Sequence, residues 1–162
     1  AKCGGNYAAS LVAQSEAIKQ GCDQVVFLDA AEHRWVEELG GMNLFFLFDD
    51  GSIITPPADG TILEGITRDS VLTLAREQGL NVREERYAID QWEADAKSGR
   101  LVEAFACGTA AVVVLVAMRW LHQKAPGVIR GLCFCWGRGA PSRFQAEARL
   151  AATKSQFTSF SR

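Results

Sequence analysis

No apolar run in this sequence is long enough to cross a bilayer. The longest aliphatic stretch, Ala110 to Ala117, has eight residues, against about 20 for a spanning helix. The chain has no initiator methionine and no stretch of signal-peptide character. The five cysteines are odd in number and follow no framework spacing, so free thiols in a reducing cytoplasm explain them better than disulfides do. Metal ligands are scarce too. Cys133 and Cys135 with His122 do not supply the four closely spaced ligands of a closed zinc site, and no metal is expected. Acid is nearly missing from residues 118–162, where eight basic residues stand against Glu147 alone, a balance of +7. The whole chain carries −2, so residues 1–117 carry −9. That break sets the expected organisation: one domain over 1–117 and a basic tail over 118–162. The tail contains no nucleic-acid module. The expectation is a cytoplasmic protein with neither a membrane nor a nucleic-acid partner.

The sequence does contain a mixed pattern of short helices and strands. Its 162 residues suffice for one cored domain. Tyr7 to Gln20 reads as a helix with Leu11, Ile18 and alanines on its apolar face and Gly21 as its stop. Gln24 to Leu28 reads as a buried strand, and Arg34 to Glu38 leads to the edge of a pocket. Asn43 to Phe48 and Ser52 to Thr55 read as strands joined by the Asp49-Asp50-Gly51 turn, with Pro56-Pro57 ending the second. After a loop over Gly60 to Gly65, a helix from Thr67 or Arg68 to Glu77 buries Val71, Leu72, Leu74 and Ala75. Asn81 to Tyr87 suggests a partly solvated strand, Asp90 to Ala96 a short helix with Trp92 turned inward, and Leu101 to Ala106 and Ala111 to Val116 two more strands. This order indicates an α/β or α+β domain without long regular βαβ units.

The chemistry centres on Lys2-Cys3-Gly4-Gly5-Asn6-Tyr7. Two glycines let the backbone pass close to another group. A desolvated lysine beside them can lose its proton and attack a carbonyl to form a Schiff base. A solvated lysine before a loop and a helix is the plainer reading of the same residues. Farther on stand Glu38-Leu39-Gly40-Gly41-Met42-Asn43-Leu44-Phe45, Ile53-Ile54-Thr55 and Leu63-Glu64-Gly65-Ile66-Thr67-Arg68.

In order and spacing these segments resemble the branched-chain amino acid aminotransferases of the class IV pyridoxal-phosphate enzymes, from Ala1 to about Val114. The resemblance implies the larger C-terminal domain of the fold-type IV architecture, truncated at its N-terminus, and pyridoxal 5′-phosphate as cofactor. It implies that Lys2 carries the cofactor and moves the substrate proton, that Glu38 pairs with the pyridine nitrogen, and that Tyr7 hydrogen-bonds the phenolic oxygen. It places the phosphate on the amides of Ile66 and Thr67, helped by the side chain at Cys107, where the family has a hydroxyl. It places the substrate carboxylate at Gly108-Thr109-Ala110, with Gly41 where some relatives use Thr at the substrate. Each residue has a plainer reading: Glu38 as a solvated acid, Tyr7 as a packed aromatic, Thr67 as a helix cap, Gly108-Thr109-Ala110 as an ordinary turn. The phosphate site has independent support, because a helix start is an anion site.

The implied reaction is transfer of the amino group of Leu, Ile or Val to 2-oxoglutarate, with branched-chain amino acids and 2-oxo acids as partners and a homodimer as the full-length form. A D-amino acid aminotransferase, an aminodeoxychorismate lyase of the same class, or an inert fragment are the alternatives. The family's N-terminal domain, with its phosphate-binding arginine and much of the side-chain pocket, has no counterpart here. The chain alone is therefore expected to bind the cofactor poorly and transaminate negligibly. Leu115 to Arg162 does not resemble the family, and its Arg, Trp, Cys and Ser content is what a disordered or frame-shifted segment shows.

Overall fold

The computed structural model describes residues 4–109, 113–116 and 132–134. A 3₁₀ turn over Gly4–Tyr7 leads into α1 (Ala8–Lys19), followed by β1 (Gln24–Leu28), β2 (Val36–Leu39), β3 (Met42–Phe48) and β4 (Ile53–Thr55). Then come α2 (Ile66–Glu77), β5 (Val82–Glu84), α3 (Ile89–Ser98), β6 (Leu101–Cys107), β7 (Val114–Leu115) and β8 (Leu132–Phe134). The mixed α/β class expected from the sequence is present.

The strands form a single sheet that forks at β3. On one edge β3 pairs antiparallel with β6 from Asn43 to Phe48. On its other edge the first residues, Met42 and Asn43, pair with β2, and Phe46 and Leu47 pair with β4. Between these two ladders the carbonyl of Leu44 accepts a 2.7 Å hydrogen bond from the hydroxyl of the buried Thr55. A side chain thus supplies the donor where neither strand reaches. Beyond the fork, one arm continues through β1 to β8 and the other through the parallel pair β4–β5.

Each sheet face buries its own cluster. Residues 44, 46 and 48 of β3 belong to the cluster with Tyr87 and Trp92, whose indole sits edge-on to Phe46 at 4.6 Å. Phe45 lies in a separate cluster with Phe105, Leu72 and Ala75, and the Phe45 and Phe105 rings stack at 5.0 Å. The 2-residue alternation of strands thus puts α3 against one face and α2 against the other. On the arm toward β1, Ala13 and Ala17 of α1 pack on Val25 and Phe27. Buried Arg68 and exposed Arg76 of α2 both reach Glu84 of β5 at 2.8 Å, and Arg68 also donates to the Pro56 carbonyl at 2.9 Å.

Several expectations need correction. Leu11 and Ile18 do not form the apolar face of α1; they are 61% and 58% exposed, and the small alanines face the sheet instead. Leu74 of α2 is exposed rather than core. Residues 36–39, read only as leading to a pocket edge, are strand β2. Inside the segment read as a tail, Leu132–Phe134 pairs with Gln24–Val26 as β8. Cys22 is disulfide-bonded, against the expectation of free thiols, whereas Cys107 is free and buried. The strand expected over Ala111 to Val116 is seen at Val114–Leu115, and part of its range lies outside the described residues.

Candidate active site

The site is built around a two-residue hairpin. Leu39 pairs with Met42, so Gly40 and Gly41 make the turn, with the Gly41 amide 2.8 Å from the Leu39 carbonyl. Gly40 has φ +66°, which glycine adopts freely, and the bond from the Gly41 amide to the Leu39 carbonyl closes three residues, as a γ-turn does. A side chain at Gly40 would also strike the Gln24 carboxamide. At Gly41 the Tyr7 ring packs close by, its Cε1 3.4 Å from where a Cβ would stand, an ordinary contact distance. The structure thereby brings Tyr7 and Gly41 together.

Such a turn places Glu38 directly opposite Asn43. The same row continues to Phe27 on β1 and to Cys107 on β6. Facing residues share a sheet face, and this is the face that carries α1 and α2. Glu38 and Asn43 both grip the backbone of one residue in the loop before α2. The Leu63 amide donates to Glu38 Oε1 at 3.0 Å, and Asn43 Nδ2 donates to the Leu63 carbonyl at 3.1 Å. Burial pushes the Glu38 carboxyl up from its ordinary value; the Leu63 amide opposes that push and neighbouring Glu37 adds to it.

Two residues past Leu63, Gly65 is the N-cap of α2, with no side-chain cap hydrogen bond. The reading of Thr67 as a cap is therefore corrected: it stands inside the first turn. The Asp69 amide already bonds the Gly65 carbonyl at 3.0 Å, whereas the amides of Ile66 and Thr67 come too early in the helix to have an intrahelical partner. Ile66 is 87% exposed, so its side chain is not what places it there. Cys107, in the same row as Glu38, is closed off from solvent at 0% exposure and packs with Phe45 and Leu72. Burial pushes its thiol up to about 11, against the pull of Arg68. It is a neutral, weak donor. Thr109 is exposed just beyond β6, and Gly108 lies against Met42 of the hairpin. Lys2 and Ala110 lie outside the described residues.

At the α2 start is a cavity of about 310 Å³ lined by Ala58, Glu64, Gly65, Ile66, Arg68, Asp69 and Glu84. Asn43 is the residue that sequence reasoning underused. The signal was present: a two-residue turn at Gly40-Gly41 forces position 43 opposite position 38. Among the described residues no cluster could hold a metal ion, and no helix is long and apolar enough to cross a membrane.

Comparison with known proteins gives this arrangement a family. The amino-transferase class IV family matches residues 3–118. A probable branched-chain-amino-acid aminotransferase of Streptomyces coelicolor is 60% identical over 116 residues, 72% of this chain and 32% of its own length. The branched-chain-amino-acid aminotransferase of Mycobacterium tuberculosis is 56% identical over 120 residues, 72% of this chain and 33% of its own length. This chain spans about a third of the length of these curated relatives. Among solved structures, the branched-chain amino acid aminotransferase from Thermobaculum terrenum in its PLP form aligns at TM-score 0.60 and 39% identity, covering 70% of this chain and 34% of that one. The Escherichia coli enzyme aligns at TM-score 0.67 and 31% identity over 94% of this chain and 45% of its own. The fold is therefore that of these aminotransferases, and the chain belongs to the class IV amino-transferase family.

Proposed function

We propose that this chain is the cofactor-binding portion of a pyridoxal-phosphate-dependent branched-chain amino acid aminotransferase, which transfers the amino group of Leu, Ile or Val to 2-oxoglutarate. One observation carries the reading: Glu38 of β2 accepts the amide of Leu63, two residues before the uncapped start of α2 at Gly65. A carboxylate and an anion site held in fixed relation suit a cofactor that is cationic at its ring nitrogen and anionic at its phosphate. The residues present fit pyridoxal 5′-phosphate on this ground, and the PLP form of the solved Thermobaculum relative agrees.

When bound, the cofactor supplies an aldehyde that takes the amino group and a ring that accepts the electrons left by the α-proton. The protein's own residues do the rest. Lys2 holds the cofactor and carries the α-proton as general base, which its amine does best with a pKa near neutrality. Ionised Glu38 keeps the ring nitrogen protonated, and the Leu63 amide favours that ionised form against burial. Tyr7 donates to the phenolic oxygen. The Ile66 and Thr67 amides hold the phosphate, with Cys107 beneath them as a neutral wall. Gly41, Thr109 and Ala110 seat the substrate. The full-length form is a homodimer, and this chain alone binds the cofactor weakly and turns over negligibly.

The test is a spectroscopic titration of the 162-residue chain with pyridoxal 5′-phosphate carried to millimolar concentration. Covalently held cofactor absorbs at about 410–430 nm, and the band is expected with the native chain but not with Lys2→Ala. A band in both proteins removes Lys2 as the anchor. A band in neither removes the cofactor reading for this chain. Ready turnover of leucine with 2-oxoglutarate would contradict its expected inactivity.

A further inference from the structure

We propose that Asn43 is a positioning residue: by holding the Leu63 carbonyl it keeps the Leu63 amide on one oxygen of Glu38 and leaves the other oxygen as the acceptor for a ligand. This rests on the cofactor reading for the identity of that ligand, but not for the clamp itself.

Three observations single out Asn43. First, Asn43 and Glu38 are a directly facing cross-strand pair, so their side chains leave the same face side by side. Second, the backbone of Leu63 is held on both sides of its Cα, the N–H of the peptide before it by Glu38 Oε1 and the C=O of the peptide after it by Asn43 Nδ2. Only a side chain that donates can take the carbonyl end, and an ionised aspartate at this position could not. Third, Asn43 is only 7% exposed, and its Oδ1 stands 2.5 Å from where a Cβ on Gly65 would be. Gly65 is the N-cap of α2. One carboxamide therefore fixes the loop at Leu63 and fits against the residue that starts the helix.

The loop has other anchors. Thr61 donates to Glu37 Oε1 at 2.9 Å, and Ile62 is buried. These hold the loop near the sheet but do not touch Glu38. Among the described residues Glu38 Oε1 accepts the Leu63 amide, and no hydrogen bond is seen at Oε2. Removing the Asn43 donor releases the peptide after Leu63, so the residue is no longer fixed on both sides and its N–H, which offsets the burial of Glu38, is no longer held in line.

The experiment is a ¹³C NMR titration of Glu38 in the 162-residue chain without cofactor, comparing native protein with Asn43→Ala and Thr61→Val. Asn43→Ala is expected to raise the Glu38 pKa by about one unit, the effect of losing one charge-assisted hydrogen bond. Thr61→Val, which loosens the loop elsewhere and reaches Glu38 only through the neighbouring Glu37 charge, is expected to move it less. An unmoved Glu38 in Asn43→Ala, or an equal shift in Thr61→Val, overturns the proposal. If Asn43→Ala does not fold, Gly65→Ala decides: its methyl displaces Oδ1, so an upward shift supports the clamp and no shift overturns it. Because no cofactor is present, a chain that binds no pyridoxal 5′-phosphate would sink the proposed function while this titration still judges the clamp.

Discussion

Replacing Thr55 by valine tests whether the fork in the sheet is held by a single hydroxyl. Valine has nearly the same shape and the same β-branch, so strand propensity does not change. What changes is the donor to the Leu44 carbonyl, 2.7 Å away in a fully buried position. Leaving a buried acceptor without a partner costs about 1–3 kcal/mol. A methyl in place of the hydroxyl returns about 0.8 kcal/mol. Thr55→Val should therefore be less stable by about 0.2–2 kcal/mol. With a urea m-value of about 2 kcal/mol/M, the unfolding midpoint falls by about 0.1–1 M. Thr55→Ser is the control, since it keeps the hydroxyl and loses only a methyl, and the Leu44 bond should survive. A valine variant as stable as the native chain would refute the reasoning. It would mean that the Leu44 carbonyl finds another partner and that the fork does not depend on Thr55.

Three further outcomes follow from other parts of the structure. Trp92→Ala empties the centre of the α3 face, where the indole is fully buried against Phe46; a loss of about 3–5 kcal/mol is expected in chemical denaturation, and a loss under about 1 kcal/mol would mean that the face repacks. The Asp29 carboxyl is held down from its ordinary 3.8 to about 2 by the backbone amides of Glu32, Trp35 and Arg34. A depressed carboxyl stabilises the fold above its unfolded pKa and loses that effect as pH falls through the folded one. The stability gap between native protein and Asp29→Asn should therefore be constant above about pH 5 and close between about pH 4 and 2, as read by circular dichroism. The Cys107 thiol is pushed by burial from 9.0 to about 11. A raised thiol pKa stabilises the fold below the unfolded value and is lost as pH climbs from 9 toward 11. At about pH 8 peptide mapping should find Cys107 alkylated about a hundredfold more slowly in the native chain than in urea, from the two-unit difference in thiolate fraction alone.

The parts of the fold that were legible in the sequence are those set by local chemistry. Asp49-Asp50-Gly51 and Pro56-Pro57 mark where strands turn and stop, and the aromatic run of β3 marks a strand. The parts that were not legible depend on what packs against what. Leu11 and Ile18 look like a helix face, but α1 lies on β1 through Ala13 and Ala17, and alanine gives no strong apolar signal. Leu74 fails for the related reason that Leu72 and Ala75 already fill the contact with the sheet. Thr67 looks like a cap because threonine caps well, but the chain turns two residues earlier at Gly65. Glycine is required there because Asn43 already fills the space a side chain would take. That reason is tertiary and cannot be seen along the chain.

The forked sheet and the candidate site have one origin. If β4 continued alongside β3 past Phe46, it would take the edge that Glu38 and its strand occupy at Asn43. Pro56 and Pro57 prevent this, since neither can donate to a ladder. The chain must then leave the sheet and cross above the row of Glu38, Asn43 and Cys107 before α2 begins. Polar groups on that crossing segment need partners, and the backbone of Leu63 finds them on the two polar residues of that row. The contacts that satisfy the loop also place the first amides of α2 beside a carboxylate. A substitution that extends β4, such as Pro56→Val with Pro57→Thr, should therefore disturb Glu38 before it disturbs the core. Pro56 is buried and its carbonyl holds Arg68, so some stability goes too; the Glu38 titration would move while the chain still unfolded cooperatively with its midpoint down by less than about 1 M. Loss of both together would mean that the crossing loop belongs to the core and not to the site.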